Sequence, residues 1–280
     1  MGRTDIINLS SLPTREAAQS GKVWIVSAGP GDPDLLTVKA LRILQTADVI
    51  LYDNLVSDGI RKLFPRRTPA FYVGKTKGNH SIPQQDLNRL LLDKAGQGLQ
   101  VCRLKGGDAF VFGRGGEEML ELREAAIEVE VVPGVTAASG CSAYAGIPLT
   151  HRGVSQGVTL VTAHAETHLG LNWAALAGLG HTLVFYMGLS KTGLIREQLL
   201  AAGMSPGTPA ALIENGCCPQ QRVVTGQLHE LPLLVERENL VSPALIVVGD
   251  VVSLAERLSP AALADAGVQI DFQQIRKLSA

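Results

Sequence analysis

The sequence lacks the features that mark secreted, membrane-spanning and nucleic-acid-binding proteins. Only four of its 280 residues are cysteine and none forms a Cys-x-x-Cys pair, which favours reduced thiols in a cytoplasmic protein. The formal net charge of −1 argues against a broad basic surface for nucleic acid. No apolar stretch is long enough to span a bilayer, and no secretory signal is apparent. We therefore predict a cytoplasmic globular protein that binds neither nucleic acid nor membrane.

What the sequence does contain, in its first half, is a regular alternation of short apolar runs and helical patterns. One helix is predicted to begin after Thr37 as N-cap, with Val38, Leu41 and Leu44 on one face. Strands alternating with helices predict a mostly parallel sheet covered by helices. The strands are predicted at 22–28, 48–53, 70–74, 99–105 and 129–133.

The second half has more closely spaced strands. The segments at 209–215 and 222–228 are too close for a crossover helix, so we expect them to pair antiparallel in a mixed sheet. The fold class is α/β, with an N-terminal domain at 21–150, a C-terminal domain at 151–258 and a boundary near 134–155. We expect tails at 1–20 and 259–280. The remaining strands of this half are predicted at 157–164, 181–187 and 244–250.

The first glycine turn, "GPGDPD" at 29–34, follows a strand and precedes a helix, as in dinucleotide-binding folds. In such folds Asp53, at the end of the second strand, would bind a ribose. However, Asp32 and Asp34 oppose a diphosphate, since like charges 4 Å apart near a surface repel by roughly 4 kcal/mol. Pro30 also lacks the N–H that a phosphate would use. The turn therefore favours a neutral or cationic ligand. The alternative is a tight turn that binds no ligand and whose acids cap the next helix.

A second glycine turn lies in "RLKGGDAFVFGRGGEE" at 103–118, again between a strand and a helix. Gly106 and Gly107 allow a ligand to touch the main chain, and Asp108 can accept hydrogen bonds from it. Glycine turns after strands 1 and 4 of a parallel sheet predict one crevice at the carboxyl ends of the strands. The alternative is a flexible glycine-rich loop.

Together with "VVPGVTAASGCSAYAGIPLTHR" and "LVFYMG", these motifs resemble the tetrapyrrole methylases, from about residue 21 to 257. The resemblance implies a homodimer whose two α/β domains bind S-adenosyl-methionine in the cleft between them. It implies methyl transfer to C2 and C7 of uroporphyrinogen III, giving precorrin-2 for sirohaem, cobalamin or haem d1 synthesis, with S-adenosyl-homocysteine as the second product.

The resemblance also implies which residues contact the methyl donor. The chain departs from the family at Ala137, where serine is more frequent, at Ala109, where proline is usual, and at Cys217, where threonine is common. The donor contacts implied by the resemblance are Pro30, Gly106, Gly107, Asp108, Val111, Thr136, Ala137, Met187, Gly216 and Ala244.

Methyl transfer from a sulfonium needs orientation, a base and, for a polycarboxylate macrocycle, cations. The resemblance implies Asp53 as proton acceptor and Lys75 as proton donor; the alternative for Asp53 is a helix cap. Arg114 and Glu117 share one side of a first helical turn. Arg114 could hold a substrate carboxylate while Glu117 orients Arg114 or accepts the proton. Alternatively, the pair could be an exposed salt bridge worth ~0.3–0.5 kcal/mol. The other expected substrate-binding residues are Lys105, His151 and Arg152.

Other functions remain open at this level. "HAETH" at 164–168 has a metal-like spacing, but methyl transfer needs no metal and we predict none. A family member with a different substrate, a nucleotide-dependent oxidoreductase and a non-catalytic tetrapyrrole carrier are the alternatives.

Overall fold

The computed structural model describes residues 21–74, 83–164 and 170–258. The predicted tails and Lys75 lie outside these ranges. The chain separates into two compact units, residues 1–136 and 137–280, each built on one five-stranded sheet. No helix in the described ranges has the length and apolar character needed to cross a bilayer.

The sheet of the first unit is entirely parallel, with strand order β3-β2-β4-β1-β5. This confirms the predicted parallel sheet and places β4 directly beside β1. Its strands are β1 (Lys22–Ser27), β2 (Val49–Tyr52), β3 (Ala70–Tyr72), β4 (Gln100–Lys105) and β5 (Glu128–Val132). The helices described in this unit are α1 (Val38–Thr46), α2 (Asp58–Arg61), α3 (Gln84–Gly96) and α4 (Gly115–Glu124).

Apolar side chains cover both faces of this sheet because side chains alternate along each strand. Val101 of β4 packs with the apolar residues of α3 and α4, whereas Cys102 and Leu104 pack with those of α1 and α2. Arg103 and Lys105 therefore project toward the face that α3 and α4 cover. Both charged side chains are buried.

The predicted apolar face of α1, formed by Val38, Leu41 and Leu44, is only partly buried. Thr37 is the N-cap as expected, and its hydroxyl accepts a hydrogen bond from the Ala40 N–H. Leu44 is buried, but Val38 is 66% exposed and Leu41 is 38% exposed. The helix instead turns Ala40 and Leu44 toward the sheet, together with Ile43, because a spacing of three and four residues defines one helical face.

The sheet of the second unit is mixed, with strand order β6-β7-β10-β8-β9. Strands β6 and β7 are parallel and the other neighbours are antiparallel, including the β8–β9 pair. Both predictions for this half are confirmed. The strands are β6 (Val158–Thr162), β7 (Thr182–Tyr186), β8 (Pro209–Glu214), β9 (Arg222–Gln227) and β10 (Ala244–Val248). The helices described are α5 (Ala137–Tyr144), α6 (Trp173–Gly178), α7 (Thr192–Ala201), α8 (Leu231–Arg237) and α9 (Ala255–Leu258).

The four cysteines are thiols without a disulfide, as predicted. Cys102, Cys141 and Cys217 are buried. Burial raises the pKa of the Cys102 thiol to about 12, so this side chain behaves as a small apolar residue.

Candidate functional site

The two glycine turns meet at the carboxyl ends of β1 and β4. The Gly29 N–H donates to the Gly107 carbonyl at 3.1 Å, and the Gly107 N–H donates to the Gly29 carbonyl at 2.7 Å. Both glycines have positive φ angles, +74° and +68°, which residues with a Cβ rarely adopt. The prediction that the two turns meet at one edge of the sheet is confirmed. Backbone hydrogen bonds to the first turn hold the second turn in place, so it is not a flexible loop.

The first turn has few N–H groups to offer a phosphate. Pro30 and Pro33 have none. Asp32 accepts the Asp34 N–H at 2.8 Å, so it caps the short 3-10 turn that follows, as the alternative interpretation held. Asp34 itself is exposed. Other N–H groups of this segment donate within the protein, namely those of Gly29, Leu35 and Leu36.

Asp53 lies where the loop after β2 contacts the second glycine turn. Its Oδ1 accepts hydrogen bonds from the Leu55 N–H at 3.0 Å and from the Gly106 N–H at 3.4 Å. A Cβ built on Gly106 would lie 2.3 Å from the Leu55 Cβ, so glycine is required for this approach. The cap of α2 is Ser57, whose hydroxyl accepts the Ile60 N–H. The capping alternative for Asp53 is therefore wrong.

Lys105 is buried and directed at a carboxylate inside the unit. Its Nζ lies 2.7 Å from Oε1 of Glu118, which is fully buried on α4. Burial lowers the pKa of the Lys105 ammonium below its ordinary value, and the neighbouring Arg103 lowers it further. The structure thus places this predicted substrate-binding cation in an internal ion pair. Sequence reasoning missed Arg103 and Glu118; the signal available was a charged residue within an apolar strand.

Asp108 organises the main chain of the second turn. One carboxylate oxygen accepts the Phe110 N–H at 2.8 Å, and the other accepts the Gly134 N–H at 2.9 Å. The Val111 N–H donates to the Asp108 carbonyl at 3.1 Å. Both carboxylate oxygens thus hold backbone groups of the loops after β4 and β5.

Arg114 and Glu117 form a two-point ion pair at the start of α4. The Arg114 Nε donates to both oxygens of Glu117, at 3.0 and 3.1 Å, and the Nη2–Oε2 distance is 2.6 Å. The hydrogen bond to Glu117 raises the pKa of Arg114, and the same hydrogen bond lowers the pKa of Glu117. About half of each side chain is exposed. The predicted arrangement on one side of the first turn is confirmed, and both groups are accessible to a ligand.

In the second unit, several expected donor contacts gather at one end of the sheet. Met187 follows β7, Gly216 follows β8 and Ala244 begins β10, and these three strands are neighbours. Helix α5, which begins at Ala137, contacts this end, since the Ala138 N–H donates to the Tyr186 hydroxyl at 2.8 Å. A Cβ on Gly216 would lie 2.3 Å from Sγ of Cys141 on α5. Met187 adopts a φ of +54° and is 49% exposed.

Three further expected residues lie beside α5 or at exposed positions. Thr136 directly precedes α5. His151 and Arg152 are exposed, and the His151 Nδ1 lies 2.9 Å from the Arg152 carbonyl oxygen. Of "HAETH", only His164 lies among the described residues. Across residues 21–74, 83–164 and 170–258, no group of three or more His, Cys, Asp or Glu side chains could hold a metal ion.

The fold and sequence define the class of protein. Residues 22–232 match the family of tetrapyrrole (corrin/porphyrin) methylases, so the chain belongs to this family. The chain is similar to a siroheme synthase of Edwardsiella ictaluri, with 55% identity over 239 residues, covering 85% of this chain and 51% of the relative. It therefore spans about half the length of the curated relatives it matches.

Two solved structures make the likeness more specific. Uroporphyrin-III C-methyl transferase from Thermus thermophilus, complexed with S-adenyl homocysteine, is 40% identical with a TM-score of 0.71, covering 83% of this chain and 93% of that one. A cobalt precorrin-4 methyltransferase of cobalamin biosynthesis is 29% identical with a TM-score of 0.74, covering 82% of this chain and 95% of that one.

Proposed function

We propose that this chain is an S-adenosyl-methionine-dependent C-methyltransferase. It transfers two methyl groups to C2 and C7 of uroporphyrinogen III and gives precorrin-2 and S-adenosyl-homocysteine. Membership of the tetrapyrrole methylases supports the reaction class. The likeness to the Thermus thermophilus enzyme favours this substrate over that of the cobalt precorrin-4 enzyme, with 40% against 29% identity.

The observation that carries the proposal is the joined pair of glycine turns with Asp53 beside them. The N–H groups of the first turn are largely engaged, and its exposed acid is Asp34. Such a turn suits a ligand that is cationic at sulfur and carries no phosphate better than it suits a dinucleotide. A bound sulfonium donor supplies an already activated methyl group. The protein then supplies orientation and acid–base groups.

Two groups of the first unit would act on the macrocycle. Asp53, with a side chain 23% exposed, accepts the proton that leaves after methylation. Arg114 binds a substrate carboxylate through a charge-assisted hydrogen bond, and Glu117 orients Arg114 in the absence of substrate. Lys75, the proposed proton donor, lies outside the described residues. Arg152 is an exposed cation suited to a further carboxylate.

The wider setting also belongs to the proposal. The siroheme synthase relatives favour sirohaem synthesis as the use of the product, with cobalamin and haem d1 synthesis as alternatives. The family resemblance favours a homodimer, and four reduced cysteines are compatible with the cytoplasm. Light scattering of the purified chain would test the dimer directly.

The reaction is tested by incubating the purified protein anaerobically with S-adenosyl-methionine and uroporphyrinogen III and measuring product mass. The proposal predicts a product with two added methyl groups. Methylation only of a later corrinoid would move the chain to another branch of the family. Tight binding of the macrocycle without methyl transfer would indicate a carrier instead.

Arg114→Ala separates binding of the donor from turnover. Because Arg114 is half exposed, its loss should leave folding and donor affinity nearly unchanged. Turnover should fall by at least tenfold, since a charge-assisted contact contributes about 1.5–3 kcal/mol. Arg196→Ala, an arginine of α7 in the second unit, is the matched control. Wild-type turnover in Arg114→Ala would remove this residue from the reaction.

A further inference from the structure

Three charged side chains are buried together beneath the second glycine turn. Arg103, Lys105 and Glu118 are each at most 4% exposed. Lys105 and Glu118 form the 2.7 Å ion pair described above, and the Arg103 Nε lies 3.4 Å from Oε2 of Glu118. Burying three charges is costly unless each is compensated. We call these three residues the buried ion cluster.

The cluster has an uncompensated positive charge. Two basic side chains face one carboxylate. Among the described residues, neither the Arg103 Nε nor the Oε2 of Glu118 has a hydrogen-bond partner, although both atoms are buried. The nearest additional carboxylate in the described contacts is Asp53, whose Oδ2 lies 3.8 Å from the Arg103 Nη2.

Hydrogen bonds to two backbone carbonyls also hold the Arg103 guanidinium, which fixes its distance from Asp53. The Arg103 Nη1 donates to the carbonyl oxygens of Leu51 on β2 and Leu104 on β4, at 3.4 and 3.0 Å. Leu51 pairs with Arg103 in the strand register, two residues before Asp53. The guanidinium is therefore clamped between the two strands whose ends carry Asp53 and Gly106.

We propose that the buried ion cluster positions the Asp53 carboxylate, with Arg103 as the positioning residue. Asp53 is then held from two sides, since Oδ1 faces backbone N–H groups and Oδ2 faces the guanidinium. A general base requires a fixed geometry. The inference rests on the proposed function only for the role of Asp53 in methyl transfer.

Substitutions within the cluster should loosen the Asp53 carboxylate. Arg103→Met removes the guanidinium that faces Oδ2 of Asp53, so the Leu55 and Gly106 amides that donate to Oδ1 should exchange with solvent at least tenfold faster by NMR. Glu118→Gln removes the carboxylate beside Arg103 and should act in the same direction. Lys94→Met removes an equally buried lysine of α3, paired with Asp93, and should leave the exchange of both amides unchanged.

The exchange measurement uses the full chain without substrate, so it tests the cluster even if the methylation assay fails. With active protein, Arg103→Met should lower kcat far more than it changes KM, and Arg103→Lys should restore most of the wild-type kcat. Folding of each variant is checked by thermal unfolding. If Arg103→Met does not fold, the exchange rates of Glu118→Gln decide. Unchanged exchange of the Leu55 and Gly106 amides in the folded variants would overturn the proposal.

Discussion

Substituting alanine at Gly106 tests whether the two loops at the sheet edge must touch. The new Cβ would lie 2.3 Å from the Leu55 Cβ and 3.1 Å from the Leu55 carbonyl carbon and oxygen. Backbone atoms cannot yield as a flexible side chain can, so the loop carrying Asp53 has to move. Overpacking of this kind costs about 1–3 kcal/mol. The hydrogen bond from the Gly106 N–H to Asp53, at 3.4 Å, weakens at the same time.

We therefore expect Gly106→Ala to lower the free energy of unfolding by about 2 kcal/mol in urea. Turnover should fall further than stability explains, because a displacement of about 1 Å at a catalytic group costs on the order of 10²-fold. Gly116→Ala in the same motif is the matched control, since its Cβ would meet nothing within 4 Å. That variant should be as stable as the wild type or slightly more stable.

A double variant tests whether the clash with Leu55 causes the loss. In the double variant Leu55→Gly/Gly106→Ala the nearest clashing atom is gone, so part of the lost stability and turnover should return. Equal stability of Gly106→Ala and Gly116→Ala would refute the argument that the loops require a glycine at this contact.

Two further predictions concern the framework of the first unit. In Ser27→Ala the buried Ala109 N–H loses its acceptor, the Ser27 Oγ at 2.9 Å, so urea unfolding should show a loss of about 1–3 kcal/mol. Hydrogen bonds from Lys39 and Lys22 hold the pKa of Glu130 below its ordinary value of 4.5. The stability this carboxylate contributes is present above pH 4.5 and is lost as the pH falls through its folded pKa. Glu130→Gln should therefore be less stable at neutral pH and should lose less stability between pH 4.5 and pH 3.

Substitutions at exposed positions serve as controls for the Ser27→Ala and Glu130→Gln predictions. Thr46→Ala removes a hydroxyl whose hydrogen bonds among the described residues go to its own helix backbone, and it should change stability far less than Ser27→Ala. Glu236→Gln, on an exposed position of α8, should leave the acid-side decline unchanged. An Ser27→Ala protein as stable as Thr46→Ala, or a Glu130→Gln protein with the wild-type acid profile, would contradict the respective argument.

The sequence predicts much of the fold because its apolar pattern is strong. Nine of the ten strands in the described residues fall within the predicted segments, and β5 begins one residue before its segment, at Glu128. The short link between β8 and β9 correctly indicated an antiparallel pair. The face of α1 was harder, because Val38, Leu41, Ile43 and Leu44 surround much of the helix. Only the position of the sheet determines which of them are buried.

The site is predictable where chemistry is local and unpredictable where it depends on distant partners. The Arg114–Glu117 pair follows from a spacing of three residues. The internal ion pair of Lys105 does not, because Glu118 reaches it only when α4 packs on β4. Likewise, the contact between Asp108 and Gly134 joins loops 26 residues apart. Sequence motifs therefore identified the residues of this edge, while their partners depend on tertiary packing.

The central claim is that the joined glycine turns accept a cationic methyl donor and reject a phosphate-bearing nucleotide. Isothermal titration calorimetry of the purified chain with S-adenosyl-methionine, S-adenosyl-homocysteine and NADH tests it most directly. The account predicts saturable binding of the first two and no binding of NADH. Binding of NADH, or no binding of either S-adenosyl compound, would contradict it.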